Sequence, residues 1–284
     1  MPNGTDKGLL ASSQRRTGLV FDRVSRHIKQ LAKEPRSSDV HRFRTNSRRI
    51  EAIVAEFVPG SGSKRKLLKL LSKLRKKAGK LRDLDVQIAF LENLKIPDRQ
   101  NHRAQLLESL IAQRTSRSRR LPRRFDLDTV NKLRKRLRRA SSAVNLGGID
   151  PLKRAAERLP SADAMQLTES SLHAFRIAAK SARYLAELAD SPEGERFVAE
   201  LKRAQDAIGE WHDVLKLKEQ ADRRFGRVHE STLLAALDNI AHARFRRASN
   251  AAVEALANVS RLLNTPPVKA PHKAGAALSA VTAA

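Results

Sequence analysis

The residues best able to do chemistry gather first in Val40–Glu51, VHRFRTNSRRIE. On a helix, at about 100° per residue, His41, Arg44 and Arg48 fall within roughly 60° of one another, with Arg49 on the edge of the stripe. Phe43, Ile50, Val54 and Phe57 take the opposite side, so the basic face stands across from the face that anchors the helix. Guanidinium groups are planar, permanently charged forks that meet phosphate oxygens in bidentate fashion. A ladder of them at helical rise matches a ladder of phosphates. Taken alone, one such stripe is equally the solvated face of an ordinary basic helix.

The device recurs. Leu172–Tyr184, LHAFRIAAKSARY, places His173, Arg176 and Lys180 at the offsets of His41, Arg44 and Arg48, 132 residues further along. Arg183 lies within about 80° of His173 and extends that face. Tyr184 sits near it and is expected at the edge, hydroxyl outward. A second pair of segments, Leu74–Val86 (LRKKAGKLRDLDV) and Arg203–Leu215 (RAQDAIGEWHDVL), is displaced by 130 residues when Gly79 meets Gly209. Leu81 then meets Trp211, Arg82 meets His212, and Asp83 meets Asp213. Two motifs in one order at nearly one spacing mark an internal duplication.

These segments add Arg75, Arg82 and His212 to the candidate phosphate ligands. Asp83 and Asp213 would repel a phosphate unless paired, so their expected role is to orient neighbouring Arg or His side chains. Divalent-metal ligation by His plus Asp is the sharper alternative, but oxygen-rich sites gather more carboxylates than these. No metal and no cofactor is expected. Matching glycines inside helices cost about 1 kcal/mol each against alanine, and their recurrence suggests close helix approach. Trp211 belongs in the core.

The elements that must position these groups read as helices throughout. Apolar residues at Val20, Val24, Ile28 and Leu31 give a helical stripe in 19–33, after a small, polar and loose 1–14. Pro35 ends that helix, and Ser37 or Ser38 caps the motif helix, which Val58-Pro59-Gly60 stops. A long helix follows over 64–94, then one over 99–117 capped by Asp98, then a very basic one over 126–142. Gly147-Gly148-Ile149-Asp150-Pro151 is the clearest hinge. Beyond it come 151–159, the second motif helix to about 190, a helix opened by Ser191-Pro192-Glu193 to about 224, and a last one over 231–263. Residues 264–284, rich in Pro and Ala, are expected to be disordered. The fold class is all-α, with repeats at about 15–125 and 126–263.

The formal net charge of +27 calls for a polyanion: nucleic acid, an acidic membrane or inorganic polyphosphate. The chain has no cysteine, hence no disulfide, thiolate metal site or cysteine nucleophile. No apolar run approaches the roughly 20 residues of a membrane span. Behind Arg15-Arg16 the apolar run stops at Asp22, too short for a twin-arginine export signal. The expected compartment is the cytoplasm.

VHRFRTNSRR, LHAFRIAAKSARYLAE, GKLRDLDV and AIGEWHDVLK, in this order, resemble the CHAD family, the conserved-histidine α-helical domain. The likeness covers about 19–263. It implies two pseudo-twofold-related bundles of about four helices each, a basic cavity or surface between them, and binding of inorganic polyphosphate, with placement at polyphosphate granules. Two positions depart from symmetry: Glu51 stands where the second copy has Arg183, and His212 stands where the first has Arg82. Some relatives carry a triphosphatase module with alternating glutamates. The nearest stretch here, Glu193-Gly194-Glu195, reads as a helix start, and no room for such a module is expected. No P-loop, acidic cluster or ordered nucleophile motif is present, so no enzymatic activity is expected. A structural nucleic-acid binder is the second choice, disfavoured by aromatics at 4%. A scaffold docking through the tail or the 126–142 helix is the third.

Overall fold

The computed structural model describes residues 4–33, 35–161, 167–226 and 231–264. Among them there is no strand. The helices are α1 (Gly4–Lys33), α2 (Ser37–Phe57), α3 (Gly62–Asn93), α4 (His102–Arg120), α5 (Leu127–Ser142), α6 (Pro151–Ala156), α7 (Glu169–Ala186), α8 (Pro192–Phe225) and α9 (Thr232–Asn264), with a 3-10 turn at Pro122–Arg124. No described helix is long and apolar enough to cross a membrane.

Local chemistry sets most of the starts. Ser61, Asp126, Asp150, Thr168 and Ser191 each accept a backbone N–H of the first turn that would otherwise lack an intrahelical partner. Three expectations need correction. Residues 4–14, expected to be loose, form the first turns of α1. The helix is held there by Ser13, which is buried and donates to the Leu188 carbonyl oxygen at 2.8 Å. Neither Ser37 nor Ser38 caps α2; the cap position is Arg36, which makes no side-chain capping bond. Helix α4 begins three residues later than expected. Asp98 still serves it, accepting from the N–H groups of Arg103 and Ala104 at 3.0 Å each. The tail 265–284 lies outside the described residues.

The buried residues sort by end of the molecule, not by repeat. A large apolar cluster joins α1, α2, α5, α6, α7, the first part of α3, most of the first half of α8 and the end of α9. It includes Phe43, Ile50, Val54 and Phe57, the anchoring stripe expected of the first motif, and also Phe175 and Trp211. A smaller cluster joins the second part of α3, α4, the second part of α8 and the start of α9 around Leu91, Leu110, Leu217 and Leu237. Each cluster mixes both copies of the duplication, so the apolar packing does not divide into one separate bundle per copy. The three longest helices, α3, α8 and α9, cross from one cluster to the other. Helix α2 packs between α1 and α3 and also meets α7. That last contact brings the two motif helices together.

Candidate functional site

Burying Phe43 on α2 and Phe175 on α7 turns the opposite faces of these helices toward shared space. Arg48, Arg176 and Lys180 line one cavity of about 430 Å³ with Glu51, Arg75 and Tyr184. Arg176 Nε is buried without a hydrogen-bond partner. Among the described residues, no hydrogen bond or ion pair engages the side chains of Arg48, Arg176 or Lys180. The fourth member, Arg44, is held. Its Nη1 donates to Asp83 Oδ1 at 2.8 Å and to the Gly79 carbonyl oxygen at 3.1 Å.

Packing cations this closely leaves an electrostatic signature. Burial lowers the pKa of Arg48, and Arg44, Arg75 and Arg176 lower it further. Arg176 is lowered by burial, with Asp213 opposing and Arg44 adding. Lys180 is pushed down to about 6 by burial, then by Arg176, Arg48 and Arg44, against a raising effect of Asp213. The arginines remain cationic at pH 7, while the Lys180 amine is largely neutral there.

Each motif histidine stands beside its own copy's member of the Arg82/His212 pair. His41 is lowered by burial, then by Arg82, Arg44, Arg42 and Arg48. His173 stacks on His212, with ring centroids 6.0 Å apart and planes at 23°. It is lowered by burial, then by His212, Arg176, Lys216 and Lys180. His212 Nδ1 is buried without a hydrogen-bond partner, 3.7 Å from Asp213. Among the described residues, Arg82 makes only a long contact to Ser37 Oγ, 3.4 Å. Of the two aspartates, Asp83 accepts from Arg44. Asp213 makes no hydrogen bond to Arg176.

Three expected ligands belong to the scaffold instead. Arg49 donates through Nε and Nη2 to the two oxygens of Glu187, at 2.5 and 3.2 Å, and through Nη1 to Asn46. Burial lowers its pKa, but the bond and charge of Glu187 raise it above the ordinary value. Arg183 donates to Glu187 at 2.6 Å and to Gln205 Oε1 at 2.9 Å. Arg75 pairs with Glu51 at 2.9 Å. A guanidinium already matched by an internal carboxylate has little capacity left for an external anion. Tyr184 is buried, not at the edge as expected. Its ring lies under Arg183 at 4.6 Å and Arg49 at 5.6 Å.

The glycines also divide. A Cβ on Gly79 would lie 3.6 Å from Arg44 Cζ, so Gly79 seats a side chain and no second helix backbone. At Gly209 a Cβ would meet nothing within 4 Å, and the expected close approach is absent.

A second groove, of about 690 Å³, opens among α3, α4 and α8 and begins at Asp83, His212 and Asp213. Lys80, Arg117, Lys216, Arg223 and Arg224 line it. Arg117, Arg223 and Arg224 were not foreseen as site residues. The signal was there in the basic last turns of α4 and α8. Among the described residues no group of three or more His, Cys, Asp or Glu is placed to hold a metal ion.

The CHAD domain family model matches residues 17–222, and the chain belongs to that family. Among solved structures, the CHAD domain from the plant Ricinus communis superposes with a TM-score of 0.63 at 16% identity, covering 91% of this chain and 92% of that one. PptA from Streptomyces chartreusis gives 0.59 at 17% identity, covering 89% and 98%. These likenesses speak for the fold. No curated protein matches the sequence.

Proposed function

We propose that the chain binds inorganic polyphosphate in the cytoplasm and does not turn it over. The observation that carries this is the convergence of α2 and α7, which puts Arg48, Arg176 and Lys180 on one cavity with no internal carboxylate paired to any of them. A linear polymer carrying about one negative charge per phosphate supplies the missing anions along its length, much as a nucleic-acid strand does. The groove lined by Lys80, Arg117, Arg223 and Arg224 gives the polymer a way to continue past His212. Membership of the CHAD family supports the same ligand through the resemblance noted in the sequence. The residues proposed to touch phosphate are His41, Arg48, Arg82, His173, Arg176, Lys180 and His212, with Arg44 adding charge from its place beside Asp83.

The test is competition at about 0.15 M salt, where condensed counterions already weaken non-specific binding. Labelled polyphosphate is displaced by unlabelled polyphosphate, by DNA and by RNA. Polyphosphate is expected to win, and affinity is expected to rise with chain length. The double substitution Arg48→Glu with Arg176→Glu is expected to weaken binding by about a hundredfold or more, because each reversal replaces a charge-assisted contact by a repulsion. Helicity should be retained. An unchanged affinity in a folded double variant, or preference for nucleic acid, rejects the proposal.

A further inference from the structure

Within the cation cluster one side chain differs in kind. Lys180 is an amine, not a guanidinium, and it is half-buried on a cavity wall. It is faced by His173, Arg176 and Tyr184 on its own helix, by Arg44 and Arg48 from α2, by Arg75 of α3 across the cavity, and by the carboxylates of Glu51 and Asp213. Glu51 is engaged by Arg75, and neither carboxylate pairs with Lys180. A cluster built to hold a phosphate thus has a primary amine inside it.

We propose that Lys180 is a site of covalent acylation by small acyl phosphates. This rests on the anion-holding role given above to Arg48 and Arg176. The arginines grip the phosphoryl oxygens and so set the neighbouring acyl carbon near the amine. The Nζ lone pair adds to the carbonyl carbon, and the bond from that carbon to the bridging oxygen then breaks. Inorganic phosphate leaves and takes up the proton that the amine gives up. The product is an amide on Lys180, with no oxidant, reductant or further reactant needed. The same guanidinium groups stabilise the charge that grows on the departing phosphate. Burial, and after it crowding by cations, keeps the amine in its neutral, nucleophilic form near pH 7. Acylation would remove one titrating group from the cluster and fill part of its cavity, lowering its capacity for polyphosphate.

The experiment exposes the full chain to acetyl phosphate at pH 7 and reads acetylation site by site by peptide mass spectrometry. The exposed Lys66 and Lys69 of the same chain serve as internal references. Lys180 is expected to react about tenfold faster or more, an activation typical of a desolvated lysine beside other cations. Its rate should level off above about pH 7, since Lys180 titrates near 6. With acetic anhydride, which has no phosphate to grip, the preference should shrink at least severalfold. Millimolar pyrophosphate should suppress the Lys180 reaction alone. Lys180 reacting no faster than the references overturns the proposal, and so does an equal preference with acetic anhydride. A chain that binds polyphosphate but lacks the selective reaction refutes the acylation alone. Selective acetylation in a chain indifferent to polyphosphate refutes the proposed function alone.

Discussion

The two copies of the duplicated unit place equivalent residues in equivalent positions and then use them differently. Arg44 in the first copy is fastened through Nη1 to both Asp83 and the Gly79 carbonyl. Its counterpart Arg176 has a buried Nε with no partner, and Asp213 only biases it from a distance. One position along the wheel the pattern inverts. The first copy pairs Glu51 with Arg75. The second pairs Arg183 with Gln205, the residue 130 positions beyond Arg75. The lesson is that duplication preserved the contacts between motif helix and long helix while letting charge drift from one side of the contact to the other. At the Arg44/Arg176 position the first copy holds its cation still, and the second leaves it available.

That contrast can be broken by substitution. Glu187→Gln is expected to have the largest effect on stability, about 3 kcal/mol or more, because it leaves Arg49 and Arg183 partly buried without their shared countercharge. Urea unfolding would measure it. Next comes affinity. Arg176→Gln is expected to weaken polyphosphate binding about tenfold or more, while Arg44→Gln does so less and instead lowers stability by about 1–2 kcal/mol through its lost charge-assisted bonds. Equal affinity losses would erase the distinction between the copies.

A smaller effect is expected from pH. Lys180, His41 and His173 all have folded-state pKa values below their ordinary ones. Between about pH 6 and the ordinary lysine range, the unfolded chain therefore holds a proton at position 180 that the folded chain lacks. On that account the free protein should gain stability as pH rises through this window. A bound polyanion returns the proton. Affinity should thus rise as pH falls from 8 to 6, by at most about tenfold per unit for one linked proton. Titration calorimetry in buffers of different ionisation heat would count the protons taken up. The smallest effect concerns the glycines. Gly209→Ala should stabilise by up to about 1 kcal/mol, since its added methyl meets nothing within 4 Å. Gly79→Ala should gain less, its methyl being set against Arg44.

Helix identity and most boundaries were legible because the cues are local. Apolar spacing and Pro or Gly stops act within a turn or two of the residues they govern. Ser191-Pro192-Glu193 read correctly for this reason. The duplication revealed which side chains would converge, and Arg48, Arg176 and Lys180 do. What escaped was which cations are already satisfied. Arg49 and Glu187 are 138 residues apart in the chain, and nothing in either neighbourhood announces their meeting. The start of α1 escaped for the same reason. A small polar stretch gives no local reason to be ordered, and its anchor, Leu188, lies in the other copy.

Glu187 touches an arginine on each motif helix and so works as a spacer bar between the copies. Moving α2 away from α7 would strand a cation, so the width of the gap is fixed before any ligand arrives. A receptor whose jaws are already set loses little freedom on closing around its guest. Successive phosphates along a thread should then each meet cations waiting at a constant separation, and the grip should grow with every unit that enters.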